Sequence, residues 1–133
     1  ELIMAQRVVR RINPDYREAY QPEAEVVADI KQVLGKHFDQ WCQNNQQNPE
    51  QITRYRPQKN LPQNELAYKG RVGIFEVMPI TEELSNMILQ GASDDEMEKY
   101  SLQKGMMLMK QDGYLKALSG ITTIEEVLRV AEV

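Results

Sequence analysis

The sequence has little of the chemistry on which enzyme and metal sites depend. Its 133 residues include one cysteine, Cys42, and one histidine, His37. A single cysteine excludes an internal disulfide and a thiolate-rich metal site. The two residues are five positions apart, which is poor helical spacing for a shared ligand, and two ligands do not make a tetrahedral zinc site. His37 is therefore interpreted as a surface residue near a helix end.

Long apolar runs and an excess of positive charge are also missing. No apolar stretch approaches the roughly 20 residues that span a bilayer, and the first residues show no signal-peptide pattern. The formal net charge of -4 argues against nucleic acid as a partner, since its binding usually needs a basic surface. We therefore expect one cytosolic globular domain without direct membrane insertion.

The sequence does contain helical periodicity, beginning at its first residues. Four apolar side chains share one helical face there: Leu2, Ala5, Val9 and Ile12. This pattern predicts a helix over residues 1–12, which ends before Pro14 because the residue preceding a proline is disfavoured in the α region. No capping residue precedes this helix, so we expect the chain to be cut from a longer one.

Three arginines give the first segment a basic character: Arg7, Arg10 and Arg11. A solvated face is the simpler interpretation. The functional interpretation is a contact with a phosphate or with an acidic surface of a neighbouring subunit.

Apolar stripes, capping residues and glycines predict the remaining helices. Their expected ranges are 22–38, 82–89, 94–104, 106–118 and a last helix that ends at 130. Thr81 and Ser93 are expected N-caps, and either Thr122 or Thr123 caps the last helix. The acidic residues 94–98 fall in the first turns of a capped helix, where carboxylates complement the helix dipole, and this explains them better than a cation site.

Strand signals are confined to two short regions. Residues 68–80 (YKGRVGIFEVMPI) join a basic, glycine-punctuated turn to β-branched and aromatic residues, which predicts a strand over 70–78. Residues 40–64 hold seven Gln and five Asn, a composition typical of a mobile connector. Within them, residues 52–56 alternate and are expected to pair with the strand at 70–78. The predicted fold class is α+β and mainly helical, with about six helices and a small antiparallel sheet.

No catalytic constellation emerges from the chain. Gly70 and Gly73 do not make a phosphate loop, because no Gly-Lys-Ser/Thr follows them and the next element is a strand instead of a helix. We find no acid–base pair, activated nucleophile or metal-ligand cluster. An independent enzyme is therefore the weakest interpretation.

Three separated stretches carry a family resemblance: residues 5–12 (AQRVVRRI), 68–81 (YKGRVGIFEVMPIT) and 105–130 (GMMLMKQDGYLKALSGITTIEEVLRV). In this order and near this spacing, they resemble the C-terminal end of the type II secretion and type IV pilus assembly (extension) ATPases. The resemblance implies the C-terminal subdomain of a RecA-like hexameric ATPase. In that interpretation residues 1–12 end the ATPase core helix, 13–80 form a former zinc-site region, and 81–133 form a C-terminal helical subdomain.

The same resemblance places the nucleotide chemistry outside this chain. The family's Walker A, Asp box, Walker B and His box lie upstream of the AQRVVRR-like segment, and none of them is present here. ATP and Mg are therefore expected to be cofactors of the parent protein. The segment alone is predicted to be inactive, with no catalytic or cofactor-binding residue.

A structural zinc is the other group that the resemblance brings into question. Many members carry two Cys-x-x-Cys pairs, and alignment on the flanking segments places Asn13, Tyr16, Asn60 and Gln63 at the four ligand positions. These side chains are poor zinc ligands beside Cys and His. Zinc is predicted to be absent, with packing and hydrogen bonds in its place and with residues 40–64 mobile.

The function implied by the resemblance is a structural and inter-subunit role in a motor that powers type IV pilus assembly or type II secretion. Its implied partners are the neighbouring subunits of a homohexamer and the inner-membrane platform protein. The implied location is cytoplasmic and peripheral to the inner membrane. The alternative is a free-standing helical adaptor, which a parent gene without an upstream Gly-Lys-Ser/Thr loop would favour.

Overall fold

The fold is α+β and mainly helical, as predicted. The computed structural model describes residues 2–131, and within them there are six α-helices and two two-stranded antiparallel sheets. The strands are β1 (Leu2–Ile12), β2 (Arg17–Tyr20), β3 (Arg54–Pro57) and β4 (Tyr68–Pro79). The helices are α1 (Ala24–Leu34), α2 (Lys36–Asn44), α3 (Glu82–Leu89), α4 (Asp94–Gln103), α5 (Met109–Leu118) and α6 (Ile124–Ala131), and a short 3-10 turn covers Pro14–Tyr16.

The first segment is a strand, so the helix predicted over residues 1–12 is wrong. β1 pairs antiparallel with β4, and the register slips between Arg10 and Ile12, which marks a β-bulge. The extra residue lies in β4, because the two steps from Arg10 to Ile12 are matched by the three steps from Arg71 to Tyr68. Val9 and Ile12 of β1 are three positions apart, and both are buried. That three-residue spacing imitates a helix in the sequence. The division of the chain at residues 12 and 80 stays a prediction.

The strand predicted over 70–78 is confirmed and is longer than expected. β4 is continuous from Tyr68, so the turn predicted at its start is wrong. Gly70 has a φ of 83°, a left-handed conformation that glycine adopts without steric cost. It lies in the bulge of β4, between Arg71 and Tyr68, and the Arg11 guanidinium packs over it, 3.5 Å from the place that a Cβ would take.

The short strand predicted at 52–56 exists at Arg54–Pro57, but its predicted pairing with β4 is wrong. It pairs with β2, a four-residue strand that is too short to show alternation in the sequence. Arginine–tyrosine contacts cross between the two strands. The Arg17 guanidinium lies 4.6 Å from the ring centroid of Tyr55, and that of Arg56 lies 4.1 Å from that of Tyr20. These cation–π contacts hold together a sheet that has few apolar residues.

The helices predicted after residue 12 are confirmed, with changes in their bounds. The stretch predicted as one helix over 22–38 is two helices, because Gly35 at a φ of 52° interrupts it. α2 then continues to Asn44, into the Gln/Asn-rich segment. α5 begins at Met109 instead of at residue 106.

The predicted helix caps are also confirmed. Thr81 Oγ1 accepts a hydrogen bond from the N–H of Leu84, and Ser93 Oγ accepts one from the N–H of Glu96. At α6 the cap is Thr123, whose Oγ1 accepts from the N–H of Glu126 at 3.2 Å. These bonds satisfy amide groups that the first turn of a helix leaves unpaired.

One hydrophobic core joins the β1–β4 ribbon to four of the helices. α5 contacts α1, α6 and β4, and its Tyr114 is 1% exposed. Residues 40–64 contribute Cys42 and Ile52 to this core, so they are not structureless, although their mobility stays a prediction. Burial raises the pKa of the Cys42 thiol, which keeps it in the neutral form suited to packing.

The contact between α5 and α6 gives a direct test of this core. A Cβ on Gly113 would lie 2.5 Å from Cγ1 of Val127, a residue with 0% exposure. We expect Gly113→Ala to lower the free energy of unfolding by about 1–2 kcal/mol, because overpacking outweighs the better helix propensity of alanine. Urea unfolding monitored by circular dichroism measures the change.

The matched control for this prediction is the double variant Gly113→Ala/Val127→Ala. Its smaller side chain at position 127 makes room for the new methyl group. The double variant should therefore be more stable than the sum of the two single changes predicts. Strict additivity would show that the two residues are not in contact.

Candidate functional site

The most strongly connected charged group is a carboxylate held between two arginines. Glu126 is 4% exposed. Arg10 donates to it twice through its side chain, from Nε to Oε1 at 3.0 Å and from Nη2 to Oε2 at 2.7 Å. Arg129 donates to the same carboxylate from Nη2 at 3.1 Å and from Nε at 3.3 Å. We call these three residues the arginine–glutamate cluster.

The backbone of β1 takes part in the cluster as well. The N–H of Arg10 donates to Glu126 Oε1 at 3.0 Å, and its C=O accepts from Thr122 Oγ1 at 2.7 Å. The edge of β1 that faces away from β4 is thus closed at this point by side chains from the start of α6. The Arg10 guanidinium also lies 4.5 Å from the ring centroid of Tyr68, which fixes its plane.

The cluster shifts the pKa of its carboxylate strongly. The Arg10 side chain is the largest cause that lowers the pKa of Glu126 from 4.5 to about 2. Burial acts in the opposite direction, and the bonds from Arg129 and from the Arg10 N–H lower the pKa further. The pKa of Arg10 is raised, first of all by its hydrogen bond to Glu126. Glu126 is therefore ionised at neutral pH.

The opposite edge of the ribbon is closed in the same manner. Asp112 Oδ2 accepts from the N–H of Phe75 at 2.9 Å, and Lys116 Nζ donates to the C=O of Gly73 at 2.8 Å. The two side chains are one turn apart on α5 and also form an ion pair at 2.7 Å. They supply β4 with the acceptor and the donor that another strand would offer, and this blocks edge-to-edge pairing.

The three arginines predicted as a contact surface do not form one patch. Arg10 belongs to the arginine–glutamate cluster, and Arg11 donates from Nε to the C=O of Lys69 at 3.0 Å. Arg7 is exposed and, within residues 2–131, makes no ion pair. Because the segment is a strand, alternate residues point to opposite sides of the ribbon.

The structure instead brings Arg10 together with Arg71 and Arg129, two residues that were not candidates from the sequence. Arg71 lies directly opposite Arg10 in the register of the ribbon. Both line a pocket of about 300 Å³ with Arg129 and with Val8 and Val9. A Glu in the first turn of a predicted helix, three residues before an Arg, is a weak sequence signal for the ion pair of Glu126 and Arg129. Nothing in the sequence indicates that Arg71 lies beside them.

The four positions implied as former zinc ligands do not fit a zinc ion. The side chain of Asn13 is 1% exposed and already bonded at both ends, since Oδ1 accepts from the N–H of Asp15 and Nδ2 donates to the C=O of Leu66. Asn60 and Gln63 are exposed. No group of three or more His, Cys, Asp or Glu side chains among residues 2–131 is placed to hold a metal.

Hydrogen bonds of Asn13 join the two chain segments that a zinc ion would join. Besides its side-chain bond to Leu66, its N–H donates to the C=O of Ala67 at 2.9 Å. The neighbouring Tyr16 C=O accepts from the N–H of Gln58 at 2.8 Å. These hydrogen bonds are therefore candidates for the contacts predicted to take the place of a zinc ion, although the absence of zinc itself stays a prediction.

A second pocket, of about 440 Å³, lies between β4, α4 and the loop that precedes α5. Its walls are mostly apolar, and two of its polar side chains are engaged within the fold. The Tyr100 hydroxyl donates to Glu83 at 2.7 Å, and Asp112 is engaged by Lys116. The pocket therefore offers no activated acid, base or nucleophile in the described part of the chain.

Comparison with known proteins decides the family of this chain. The sequence profile of the type II/IV secretion system protein family matches residues 1–129. The chain belongs to this family. Within residues 2–131, no helix is both long enough and apolar enough to cross a membrane.

Three named relatives of this secretion family match nearly the whole chain. The type II secretion system protein E of Xanthomonas campestris pv. campestris is 35% identical over 132 residues, which is 98% of this chain and 21% of the relative. The type II secretion system ATPase E of Vibrio cholerae is 31% identical over 130 residues, 98% of this chain and 23% of the relative. The type IV pilus assembly ATPase TfpB of Acinetobacter baylyi is 30% identical over 128 residues, 96% of this chain and 20% of the relative. The chain thus spans about a fifth of the length of these relatives.

The role of Asn13 is testable by truncation. We expect Asn13→Ala to lower the free energy of unfolding by about 2 kcal/mol, because the N–H of Asp15 and the C=O of Leu66 lose their partner. Hydrogen exchange should also become faster around residues 66–67. Asn60→Ala, at an exposed position, is the control and should leave stability within about 0.5 kcal/mol. Equal effects of the two changes would remove the special role of Asn13.

The pKa of Glu126 predicts a dependence of stability on pH. The folded-state pKa, about 2, lies below the ordinary value of 4.5, so the stabilisation is complete above pH 4.5 and is lost as the pH falls towards 2. Because the two arginine side chains are 55% exposed and solvent screens their charges, it contributes on the order of 1–3 kcal/mol at neutral pH. We expect Glu126→Gln to be less stable at pH 7 and to lose less stability between pH 4.5 and 2. Unfolding by urea at a series of pH values measures this, with the exposed Glu98→Gln as the control.

Proposed function

We propose that this chain is the C-terminal portion of a cytoplasmic hexameric ATPase that powers type IV pilus assembly or type II protein secretion. The observation that carries the proposal is the family match over residues 1–129. Relatives named as ATPases of both systems align with almost all of the chain. Their names support a motor as the parent protein and do not separate the two systems.

In this proposal the segment has a structural role, and nucleotide chemistry belongs to the rest of the parent protein. ATP and Mg would supply the energy of hydrolysis there. The residues of the present chain carry no Gly-Lys-Ser/Thr loop, so no step of hydrolysis is assigned to them. Their task is to connect the first strand rigidly to the last helices, so that motion of one part of the parent protein moves the other.

Exposed apolar side chains support the proposal that this segment contacts other parts of a larger protein or assembly. At the start of β1, Leu2, Ile3 and Met4 are 62%, 52% and 61% exposed. Such a cluster is a candidate contact with other parts of the parent protein or with neighbouring subunits of a homohexamer. The inner-membrane platform protein is the second proposed partner, which would keep the motor peripheral to the inner membrane. No zinc is proposed for the segment.

The test compares the parent protein with this chain. We expect the purified parent protein to hydrolyse ATP in the presence of Mg and the isolated chain to show no turnover, because the phosphate-binding loop lies outside it. A parent variant in which the Lys of the Gly-Lys-Ser/Thr loop is replaced by Ala is the control for contaminating activity.

The alternative function is a free-standing helical adaptor, and the same experiment separates it. A parent gene whose reading frame begins near Glu1, with no Gly-Lys-Ser/Thr loop upstream, would contradict the motor and leave the adaptor. ATP turnover by the isolated chain would contradict both.

A further inference from the structure

The pocket beside the arginine–glutamate cluster carries an unbalanced positive charge. Three guanidinium groups line it, those of Arg10, Arg71 and Arg129, and Glu126 is the acidic residue that pairs with two of them. The local charge is therefore +2 on a chain whose net charge is -4. Folding alone does not require this arrangement.

Arg71 is the residue that makes the imbalance unusual. It lies directly opposite Arg10 in the ribbon, and like charges at directly opposed positions destabilise a sheet. Within residues 2–131 Arg71 forms no ion pair, whereas Arg10 and Arg129, which line the same pocket, both pair with Glu126. A charge left unpaired beside another of the same sign is expected where a binding partner supplies the counter-charge.

The arrangement is also rigid enough to recognise a partner. Arg10 is held by Glu126 and by the ring of Tyr68, and Arg129 is held by Glu126. Each of these two arginines uses Nε and Nη2 towards Glu126, which leaves Nη1 for a further acceptor. Both side chains are 55% exposed, so an incoming group can reach them.

The surroundings favour a carboxylate over a phosphate. The ionised carboxylate of Glu126 lies between the two arginines and would repel a phosphate dianion more strongly than a single negative charge. The N–H of Arg10, an amide donor that could cradle a phosphate, is already bonded to Glu126. Val8 and Val9 supply an apolar wall that suits the methylene groups of an aspartate or glutamate side chain.

We propose that the pocket formed by Arg10, Arg71 and Arg129 binds carboxylate side chains of an acidic segment on another polypeptide. Arg71 supplies the free guanidinium that pairs with the incoming carboxylate, and the arginine–glutamate cluster holds the other two donors in place. This surface belongs to the segment itself and does not depend on ATP hydrolysis by the parent protein.

The experiment measures binding of a capped hexaglutamate peptide to the full 133-residue chain by fluorescence anisotropy at low ionic strength. A capped hexaglutamine peptide is the control ligand and should not bind. Arg71→Gln should weaken hexaglutamate binding by about tenfold, since one charge pair is lost. Arg7→Gln removes the same charge from the same strand outside the pocket and should leave binding unchanged. Arg71→Lys keeps the charge without the forked donors, so its affinity for hexaglutamate should lie between those of the wild type and Arg71→Gln.

Several results would overturn the proposal. Equal losses of hexaglutamate affinity in Arg71→Gln and Arg7→Gln, with unchanged melting temperatures for both, would mean that binding depends only on the net charge of the chain. Displacement of the peptide by inorganic phosphate at equal or lower concentration would make phosphate the ligand. Self-association of the chain that Arg71→Gln abolishes would make a second copy the partner. Absence of hexaglutamate binding at low ionic strength would remove the site altogether.

Discussion

The arrangement of the ends of this chain depends on one buried carboxylate. Glu126 would be costly to bury alone, because an ionised group taken out of water must be paired and hydrogen-bonded. Arg10, Arg129 and the N–H of Arg10 meet that requirement together. Their bonds connect β1 to α6 across 116 positions of sequence. The first strand is thereby held to the last helix, and the core between them is closed.

The β1–β4 ribbon depends on the same device at its other edge. A two-stranded ribbon is weak in water because both edges expose unpaired amide groups. Here Glu126 of α6 and Thr122, which precedes that helix, close the edge of β1. Asp112 and Lys116 of α5 close the edge of β4. The first half of β1 lacks such cover within the described residues, and it is there that Leu2 and Met4 are exposed. This uneven closure is consistent with a segment that is rigid inside and open to contact at one place.

Much of the fold could be predicted from the sequence, and the failures have physical causes. The helices of the second half follow from local signals, since Thr81 and Ser93 act through bonds to residues three positions away. The strand β1 was predicted as a helix because its buried residues Val9 and Ile12 are three positions apart, a spacing typical of a helix. The pairing of β3 could not be predicted, because a four-residue strand carries no register signal. The cluster around Glu126 was missed for a similar reason: its partners lie 116 positions apart, and capping explains a glutamate at that place equally well.

The link between β1 and α6 requires Glu126 to be an ionised, arginine-bound carboxylate in the folded chain. Titration of its side-chain carboxyl carbon by ¹³C NMR measures this property, with the folded state checked at each pH from dispersed amide signals. We predict a pKa of about 2 for Glu126, far below the ordinary glutamate value of 4.5. A pKa near 4.5 in the folded protein would mean that the carboxylate is not held by Arg10 and Arg129. The link between the first strand and the last helix would then have to be assigned to other contacts.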